Sequence, residues 1–546
     1  MKKIQIKLKP NDTDQVASQT VTLSDINKKI TTLTSNPAII KPAIKFTLPS
    51  QPVESKQTIT IKNGQIIDSY CQYQNGIIYQ DYNCTLNLVD IQSNMNKFYI
   101  MLIVQTNSNE FVLMKRYGRV GEKGQIRYTK SVSPQLCADD FKKTFFDKTK
   151  NKWELRQSFH PVNGKYQLCD INYGDEINKV AIPKKETKSQ LDDKIQHLLT
   201  LIGNQELLSE TLIRLEIDAQ KMPLGKISPS QIQKAYTILK QLQLLIQSNQ
   251  PAESQLMALS SQFYMHIPCT SRTRTSSLPI IKTSLLVNKF FEIVDELSNL
   301  YVATQVIEQN KYNLHPLDHI YNGIQTTIAH LSTENPMHSI IETYIKNSHA
   351  PTHTGYHIQI LNIYVIDRKD ERQRYENYCK DNNITNKMLL WHGTRLSNYL
   401  SILKMGLILR PDVLPGTYIS GKMMGYGIYG ANSFSKSFNY TGADHQNNVA
   451  CLFLAEFGLG NVSRRTQSDY YITEKSLKSE GYNSVQGCGQ KTPSSYINID
   501  NVIIPQGKLC KSSNSSQCSL LYDEFIVYNE NQLNLKYIVE VKATYD

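Results

Sequence analysis

The segment Leu390-Trp-His392-Gly393-Thr394-Arg395 places a polar motif at the end of a short apolar run. Short strands with apolar flanks are expected here and around three later segments. Those segments are Tyr426-Gly-Ile-Tyr429, Ser435-Lys-Ser437-Phe-Asn-Tyr440 and Leu-Leu-Tyr522-Asp523-Glu524-Phe-Ile-Val-Tyr528. A histidine, two tyrosines, a serine and a late glutamate, spread over about 130 residues, therefore predict one composite pocket.

Length and composition indicate a protein of several globular domains. The chain has 546 residues, of which 40% are hydrophobic and 20% charged, and one hydrophobic core does not grow to that size. The ten cysteines form no Cys-x-x-Cys pair, so neither a zinc site nor a disulfide framework is expected, and a reducing compartment fits. No apolar run approaches the roughly 18 residues of a membrane span, and no signal peptide is expected after Met-Lys-Lys.

Positive charge is concentrated at the N-terminus. The whole chain carries +12, and residues 1–64 hold ten lysines against four acids, a net charge of +6. Residues 1–65 are rich in Thr, Ser, Gln and Pro without lasting periodicity, which predicts a disordered basic tail. Two compatible interpretations stay open: a merely solvated tail, or one that adds non-specific affinity for DNA phosphates.

The rest of the chain alternates between strand-like and helix-like blocks, which predicts a multidomain α+β fold. In the first block, 97–105 and 110–116 are strand-like runs separated by a hairpin signal, and 136–152 is helix-like. From 189 to about 310 the apolar period becomes 3.6, with a cap at Ser228 and Pro229 and a Pro/Ser/Thr-rich loop at 268–281. Short strands return beyond 350, at 358–366, 388–391, 450–455 and 524–528.

A basic segment follows the second strand-like run. It contains Lys115-Arg-Tyr117-Gly-Arg119-Val-Gly121, with Lys123, Arg127 and Lys130 close behind. Cations on a small sheet suit nucleic-acid phosphates, and a tyrosine ring can stack on an exposed sugar or base. An ordinary solvated basic hairpin is the equal alternative.

Residues from about 70 to 546 resemble the short, DNA-dependent poly(ADP-ribose) polymerases. The block at 66–180 is similar to the WGR domain in Lys97-Phe-Tyr, Tyr117-Gly-Arg-Val-Gly121 and Asn151-Lys-Trp153, with Tyr117 in place of the namesake tryptophan. Residues 187–312 resemble the helical regulatory domain through the segment 217–236, and 313–546 resemble the ADP-ribosyltransferase catalytic domain. No zinc-finger or BRCT region is expected.

The resemblance implies a DNA-gated arrangement. Tyr117 and Arg119 would contact DNA, and Arg119 would either bind phosphate or bridge to the next domain. The helical bundle would cover the NAD site and open when DNA binds. Its segment Glu292-Ile-Val-Asp295-Glu-Leu would face the pocket, with Asp295 as a regulatory residue.

The resemblance also implies how NAD+ is bound as the substrate. His392 would hydrogen-bond the adenosine ribose, while Gly393 and Ser437 would hold the nicotinamide amide. Tyr440 and Tyr429 would stack on opposite sides of the nicotinamide ring. The complete implied set is His392, Gly393, Thr394, Arg395, Tyr429, Ser437 and Tyr440, with His392, Tyr429 and Glu524 as the catalytic residues. Neither a metal nor a further cofactor is implied.

The chemistry of the implied reaction explains why a carboxylate is needed. Cleavage of the nicotinamide glycosidic bond builds positive charge on the ribose, as in glycoside hydrolysis. A nearby anion stabilises that transition state more than the ground state, and Glu524 is the candidate. Outside this context, Glu524 would be interpreted as a solvated glutamate at a strand edge.

A second candidate NAD-binding motif is rejected because the residues around it do not fit a dinucleotide-binding fold. Gly425-Tyr-Gly427-Ile-Tyr-Gly430 formally matches a dinucleotide-binding fingerprint. No apolar strand precedes it and no helix pattern opens after it, which argues against a Rossmann site. We expect these glycines to allow a close approach of backbone to nicotinamide.

The predicted function is that of a nuclear ADP-ribosyltransferase, activated by DNA breaks, that acts in the DNA damage response and extends poly(ADP-ribose). A mono-ADP-ribosyltransferase and a catalytically idle DNA-end adaptor are the alternatives. Expected partners are DNA ends or nicks and acceptor proteins, including the protein itself, with histones as candidates; no membrane is expected. The chain ends Thr544-Tyr-Asp546 without the Leu-Trp tail of some relatives, so the accessory factor that redirects modification to serine is not expected.

Overall fold

A computed structural model describes residues 67–169, 188–204, 208, 210–211, 215, 228–248, 251–269, 277–308, 314–409, 423–470 and 472–546. The tail at 1–65 and residues 270–276 of the loop at 268–281 lie outside the described residues. Within these ranges, no helix is long and apolar enough to cross a membrane.

The first block is a five-stranded antiparallel sheet covered by one helix, as predicted. The strand order is β4-β3-β2-β1-β5, and Phe141 and Phe145 of the helix pack with Trp153 against one face. A tight turn at 106–109 joins the two predicted strands, with the amide of Thr106 bonded to the carbonyl of Glu110 at 2.9 Å. The elements are β1 (Ile77–Asp90), β2 (Met95–Gln105), β3 (Phe111–Arg119), β4 (Gln125–Ser131), α1 (Pro134–Thr149) and β5 (Gln167–Leu168).

The second block is helical, and its two predicted apolar stripes are buried except at one position. Residues 232, 236, 239 and 242 are buried, as are Ile195, Leu198, Leu199 and Ile202 of the other stripe, whereas its fifth predicted member, Leu191, lies before the helix and is only partly buried. Ser228 caps its helix in a reciprocal box with Gln231, and Pro229 occupies the first turn, which confirms the predicted start. The helices are α2 (Asp193–Ile202), α3 (Pro229–Gln247), α4 (Glu253–His266) and α5 (Ser284–Glu308).

The third block is built on three sheets, and its predicted strands are confirmed. The strand orders are β14-β15-β8-β10-β19-β7-β6, β11-β12-β18-β9 and β16-β13-β17. Its helices are α6 (Pro316–Ile324), α7 (Pro336–Ser348), α8 (Lys369–Asp381), α9 (Tyr399–Met405), α10 (Phe434–Phe438) and α11 (Glu474–Ser479). Its strands are β6 (Thr327–His330), β7 (Tyr356–Asp367), β8 (Lys387–Gly393), β9 (Ile428–Gly430), β10 (Val449–Gly458), β11 (Val462–Arg465), β12 (Ser484–Gly487), β13 (Gly489–Pro493), β14 (Tyr496–Ile499), β15 (Val502–Pro505), β16 (Leu509–Lys511), β17 (Leu520–Tyr522), β18 (Glu524–Val527) and β19 (Leu533–Tyr545).

Candidate active site

Pairing between strands brings the predicted histidine and tyrosine together. β8 ends at His392 and Gly393, and Trp391 exchanges two backbone hydrogen bonds of 2.9 Å with Ala431, just after β9. His392 Nδ1 lies 2.9 Å from the carbonyl oxygen of Tyr429. Because a carbonyl only accepts, Nδ1 carries the proton, and this hydrogen bond fixes the tautomer and the orientation of the ring.

Gly393 lies against Ser437 at a distance that only glycine permits. A Cβ atom at position 393 would lie 1.7 Å from the carbonyl oxygen of Ser437. The Ser437 hydroxyl donates to the carbonyl of Trp391 at 3.1 Å and is buried. The end of β8 and helix α10 therefore form one wall, on which His392, Gly393 and Ser437 lie side by side.

Glu524 reaches the same place from β18. This strand pairs with β9, and Ile526 lies opposite Tyr429. Glu524 Oε1 accepts from Lys436 Nζ at 2.9 Å, in a pair whose side chains are only 13% and 15% exposed. The second oxygen, Oε2, is buried and has no hydrogen-bond partner among the described residues. A buried acceptor without a partner is costly, so Oε2 is suited to receive a hydroxyl group of a ligand.

The two predicted tyrosines lie close to Glu524 but differ in exposure. Burial raises the pKa of Tyr429, and Tyr528, Glu524 and Tyr440 add to this rise. The hydroxyl of Tyr429 donates to the carbonyl of Gly425 at 2.7 Å, so its ring is held firmly. Tyr440 is 63% exposed. Although most of the residue is exposed, the atoms around its hydroxyl partly desolvate that group and raise the pKa of Tyr440, with further contributions from Glu524 and from Glu292 of α5.

The loop after β8 carries the other two predicted binding residues. Thr394 Oγ1 accepts from Asn398 Nδ2 at 2.9 Å, a bond within the loop. Arg395 lies against Gly442 and extends toward α5, where its Nε lies 3.6 Å from Glu296 Oε1. Asn398 also lies 3.2 Å from Asn299 of α5, measured between Oδ1 and Nδ2. This loop is therefore the part of the pocket that contacts the helical bundle.

The predicted regulatory residue has a different neighbour. Asp295 accepts a hydrogen bond from the hydroxyl of Tyr236 on α3, inside the bundle. Helix α5 thus places Asp295 on the bundle side and Glu296 on the pocket side. The segment lies at the pocket, where Glu296 faces Arg395 and Glu292 acts on Tyr440.

The glycines before β9 have a packing role within the protein. Gly425 has a φ of +74°, and a Cβ there would lie 2.3 Å from the carbonyl oxygen of Ile472. A Cβ at Gly427 would lie 2.4 Å from Cγ2 of Ile526. These close approaches are to protein atoms, and the expected approach of this backbone to nicotinamide stays a prediction. As expected, the segment is not a Rossmann turn, because the strand β9 lies within the glycine motif.

Sequence reasoning missed two charged residues at the site. Lys436 pairs with Glu524, and Asp523 is buried beside it. Two features of the sequence could have indicated these residues. Lys436 lies between Ser435 and Ser437, and the acids Asp523 and Glu524 come directly before an apolar run. A charged side chain in an apolar setting calls for a partner.

The first block carries a separate basic cavity of about 440 Å³. Tyr117 stacks on Tyr99 with ring centroids 5.1 Å apart. Arg127 lies 5.8 Å from the centroid of the Tyr117 ring, and Lys148 lies 5.0 Å from that of Tyr99. Burial raises the pKa of Tyr99 to about 12, so its hydroxyl stays neutral. The lining consists of Tyr99, Lys115, Tyr117, Arg127, Thr129, Lys148 and Tyr166.

Arg119, the last residue of β3, contacts the turn between β1 and β2 and does not line the basic cavity. Its Nη1 and Nη2 donate to the backbone and side-chain oxygens of Asn94 at 3.1 and 3.0 Å. The same hairpin contacts the helical bundle, because Asn96 Nδ2 donates to the carbonyl of Cys269 at 3.2 Å. Asn87 Nδ2 likewise donates to the carbonyl of Tyr264, in the last turn of α4, at 3.1 Å.

Comparisons with known proteins agree with this arrangement of blocks. Family models described as "WGR domain", "Poly(ADP-ribose) polymerase, regulatory domain" and "Poly(ADP-ribose) polymerase catalytic domain" match residues 82–160, 189–321 and 337–543.

Three relatives are similar over most of this chain. "Poly [ADP-ribose] polymerase 2" of Homo sapiens is 30% identical over 90% of this chain and 86% of its own length. "Poly [ADP-ribose] polymerase 2-A" of Oryza sativa is 32% identical over 85% of this chain and 70% of its own length. "Poly [ADP-ribose] polymerase 1" of Xenopus laevis is 33% identical over 91% of this chain, which spans half of that relative's length. The chain belongs to the poly(ADP-ribose) polymerase family of NAD+ ADP-ribosyltransferases.

Proposed function

We propose that this protein is a DNA-activated, nuclear poly(ADP-ribose) polymerase that responds to DNA breaks. The observation that carries the proposal is Glu524 Oε2, a buried oxygen without a hydrogen-bond partner among the described residues. Glu524 lies close to Tyr429, whose carbonyl oxygen accepts from His392, and Glu292 of the helical bundle acts on the neighbouring Tyr440. Cleavage of the nicotinamide bond leaves positive charge on the ribose. A carboxylate that accepts a ribose hydroxyl through Oε2 stabilises that charge where it develops.

The other pocket residues are proposed to hold NAD+ for this step. The fixed ring of His392 would face the adenosine ribose, and the wall of Gly393 and Ser437 would bind the carboxamide. Tyr429 is held by its hydroxyl, so it offers a rigid ring face, whereas exposed Tyr440 would close over the nicotinamide from the solvent side. This orientation supplies much of the rate enhancement because it fixes the reacting atoms before reaction.

The helical bundle is proposed to keep the pocket closed without DNA. Helix α5 contacts the pocket loop through Glu296–Arg395 and through Asn299, whose Oδ1 accepts from Ser401 at 3.0 Å. Helix α2 adds a contact on the sheet, where His197 Nε2 lies 2.7 Å from Glu540 Oε1. Any ligand that favours the displaced bundle shifts this equilibrium toward an open site.

A continuous chain of contacts connects the basic cavity with this cover. Tyr117 and Arg119 lie on β3, and Arg119 holds the β1–β2 turn, in which the amide of Ile91 donates to Ser261 Oγ of α4 at 3.1 Å. Asn87 satisfies carbonyl groups at the C-terminus of α4, which would otherwise lack donors. We propose that DNA bound at the cavity shifts this hairpin and loosens the bundle. In this proposal Arg119 is the bridge to the bundle rather than a phosphate ligand.

We expect turnover to rise with DNA ends or nicks, particularly those with a 5′-phosphate, because Arg127 and Lys148 line a cavity beside stacked tyrosines. Initial rates of NAD+ consumption would be measured with nicked, blunt and intact DNA at several salt concentrations. Affinity should fall linearly on a logarithmic salt scale, as phosphate contacts displace counterions. Equal rates with and without breaks would refute DNA activation.

Two variants separate DNA binding from transmission. Tyr117→Ala should weaken DNA affinity about tenfold, since loss of one stacked ring costs roughly 1–3 kcal/mol. Arg119→Glu should reduce the stimulation at saturating DNA while affinity changes less. The matched control is Lys143→Gln, an exposed lysine of α1 that does not line the cavity. Unchanged stimulation in both variants would remove this block from the activation scheme.

The closest rival function is transfer of single ADP-ribose units. The pocket has the same residues in either case, and the polymerase reaction additionally requires an ADP-ribose acceptor to reach Glu524. Labelled NAD+ with nicked DNA, resolved on a gel, distinguishes a polymer smear from one sharp band. Absence of label with and without DNA would instead favour an idle DNA-end adaptor.

A further inference from the structure

The residue immediately before Glu524 carries a second buried carboxylate. Asp523 is 2% exposed. Its Oδ1 accepts from the amide of Gly489 at 2.7 Å. Its Oδ2 accepts from Asn432 Nδ2 at 2.8 Å and from Thr492 Oγ1 at 2.7 Å. All three donors are neutral, so the negative charge of Asp523 has no cation in direct contact among these partners.

Lys436 contacts both acidic residues. Its Nζ donates to the carbonyl of Tyr522 at 2.8 Å and to Glu524 Oε1 at 2.9 Å, and the carbonyl of Asp523 lies at 3.4 Å. Burial lowers the pKa of Lys436, while Glu524 and then Asp523 oppose that shift. Lys436 therefore forms an ion pair with Glu524 and contacts Asp523 through its backbone carbonyl, while the charge of the adjacent Asp523 carboxylate acts on the ammonium group through space.

The other titratable group facing Lys436 is His353. Its Nδ1 lies 2.8 Å from the hydroxyl of Ser435, on the same helix α10 as Lys436. Burial lowers the pKa of His353, and His349 and Lys436 lower it further. The lowered pKa of His353 disfavours a second positive charge beside Lys436.

Lys436 determines which oxygen of Glu524 is open. With Oε1 held by a charge-assisted hydrogen bond, Oε2 is the oxygen that has no partner among the described residues. A neutral amine would bind Oε1 more weakly, and Glu524 could then rotate. The charge of Lys436 thus controls the orientation of the candidate catalytic carboxylate.

We propose that Asp523 is a positioning residue, whose buried carboxylate keeps Lys436 in its ammonium form so that Lys436 fixes Glu524 for reaction. The inference rests on the proposed role of Glu524 and adds a residue that acts through Lys436. Asp523 does not touch the substrate. The three neutral donors hold the Asp523 carboxylate in place next to the backbone carbonyl that Lys436 contacts.

The test is Asp523→Asn in the full chain with saturating nicked DNA. The shape of the site can be kept, because Asn432 Oδ1 lacks a partner among the described residues and a rotated Asn432 amide could accept from the new amide. Loss of one nearby carboxylate should lower the pKa of Lys436 by about one unit. The alkaline fall of kcat should then move about one pH unit lower. The comparison is made at the pH where the parent has half of its plateau activity. There the variant's activity, as a fraction of its own plateau, should be about a fifth of the parent's fraction.

Two further variants separate charge from structure. Thr492→Val removes one donor to Asp523 without removing the charge, so its alkaline limb should stay at the parental pH even if kcat falls. Lys436→Arg keeps a positive charge at all relevant pH values, so adding Asp523→Asn to it should not move the profile. A shift in Thr492→Val equal to that in Asp523→Asn would overturn the inference.

A readout independent of turnover distinguishes this inference from the proposed function. The rate at which acetic anhydride acetylates Lys436, followed by mass spectrometry across pH, reports the fraction of free amine. The midpoint of this rate should also fall by about one pH unit in Asp523→Asn. An unchanged midpoint overturns the inference whatever the enzyme does. A shifted midpoint in a protein that never consumes NAD+ would refute the proposed function and retain the charge relation between Asp523 and Lys436.

Discussion

Glu524→Gln should reduce polymer formation by at least about a hundredfold, or roughly 2.7 kcal/mol of transition-state stabilisation. The substitution keeps the shape of the side chain and removes its charge. Oε2 is buried without a partner, so its field on the ribose is weakly screened and its loss should be felt mainly in the transition state. NAD+ affinity, measured by equilibrium titration, should change by less than about threefold, since uniform binding does not depend on that charge.

The matched control for this experiment is Glu376→Gln, which alters an exposed acid of α8 in the same block. It should leave both elongation and NAD+ affinity at the parent values. Gel analysis with labelled NAD+ gives chain length as well as rate. If Glu524→Gln makes polymer at the parental rate, Glu524 is not the catalytic carboxylate.

Local patterns in the sequence were sufficient to predict the helices and strands and to propose which residues form the pocket. The stripe Ile195, Leu198, Leu199, Ile202 follows a 3.6-residue period, and the strand at 524–528 is a short apolar run, so both patterns depend on near neighbours. The motifs at 392–395 and 435–440 could be recognised for the same reason. Such patterns assume that each apolar face is buried against another element, and the apolar faces named here are buried in the structure.

Contacts between distant segments could not be predicted in this way. Lys436 and Glu524 meet because β18 pairs with β9 in one register, and a shift of one residue would turn Glu524 to the other face. Likewise, Asp295 and Glu296 are adjacent on α5, and only packing decides that Asp295 contacts Tyr236 while Glu296 faces Arg395. The open choice for Arg119 depended on the position of Asn94 in another turn.

Loosening the helical bundle should activate the enzyme without DNA. Phe291 of α5 is fully buried and lies 6.2 Å from the ring of Tyr236. Phe291→Ala removes that packing at a cost of about 3–5 kcal/mol, comparable to the few kcal/mol that separate the two states of a typical switch. Basal NAD+ turnover, measured without DNA, should therefore rise at least about tenfold, and further stimulation by nicked DNA should shrink accordingly.

The control is Phe141→Ala, which creates a similar cavity in the core of the first block, where Phe141 is also fully buried. It should not raise basal turnover, because that block does not cover the pocket. Deletion of residues 187–312 is the limiting case. It should give a catalytic domain that is active without DNA and binds NAD+ more tightly, since no fraction of the molecules is closed. A folded deletion protein with the basal rate of the full chain would show that the bundle is a spacer and not an inhibitory cover.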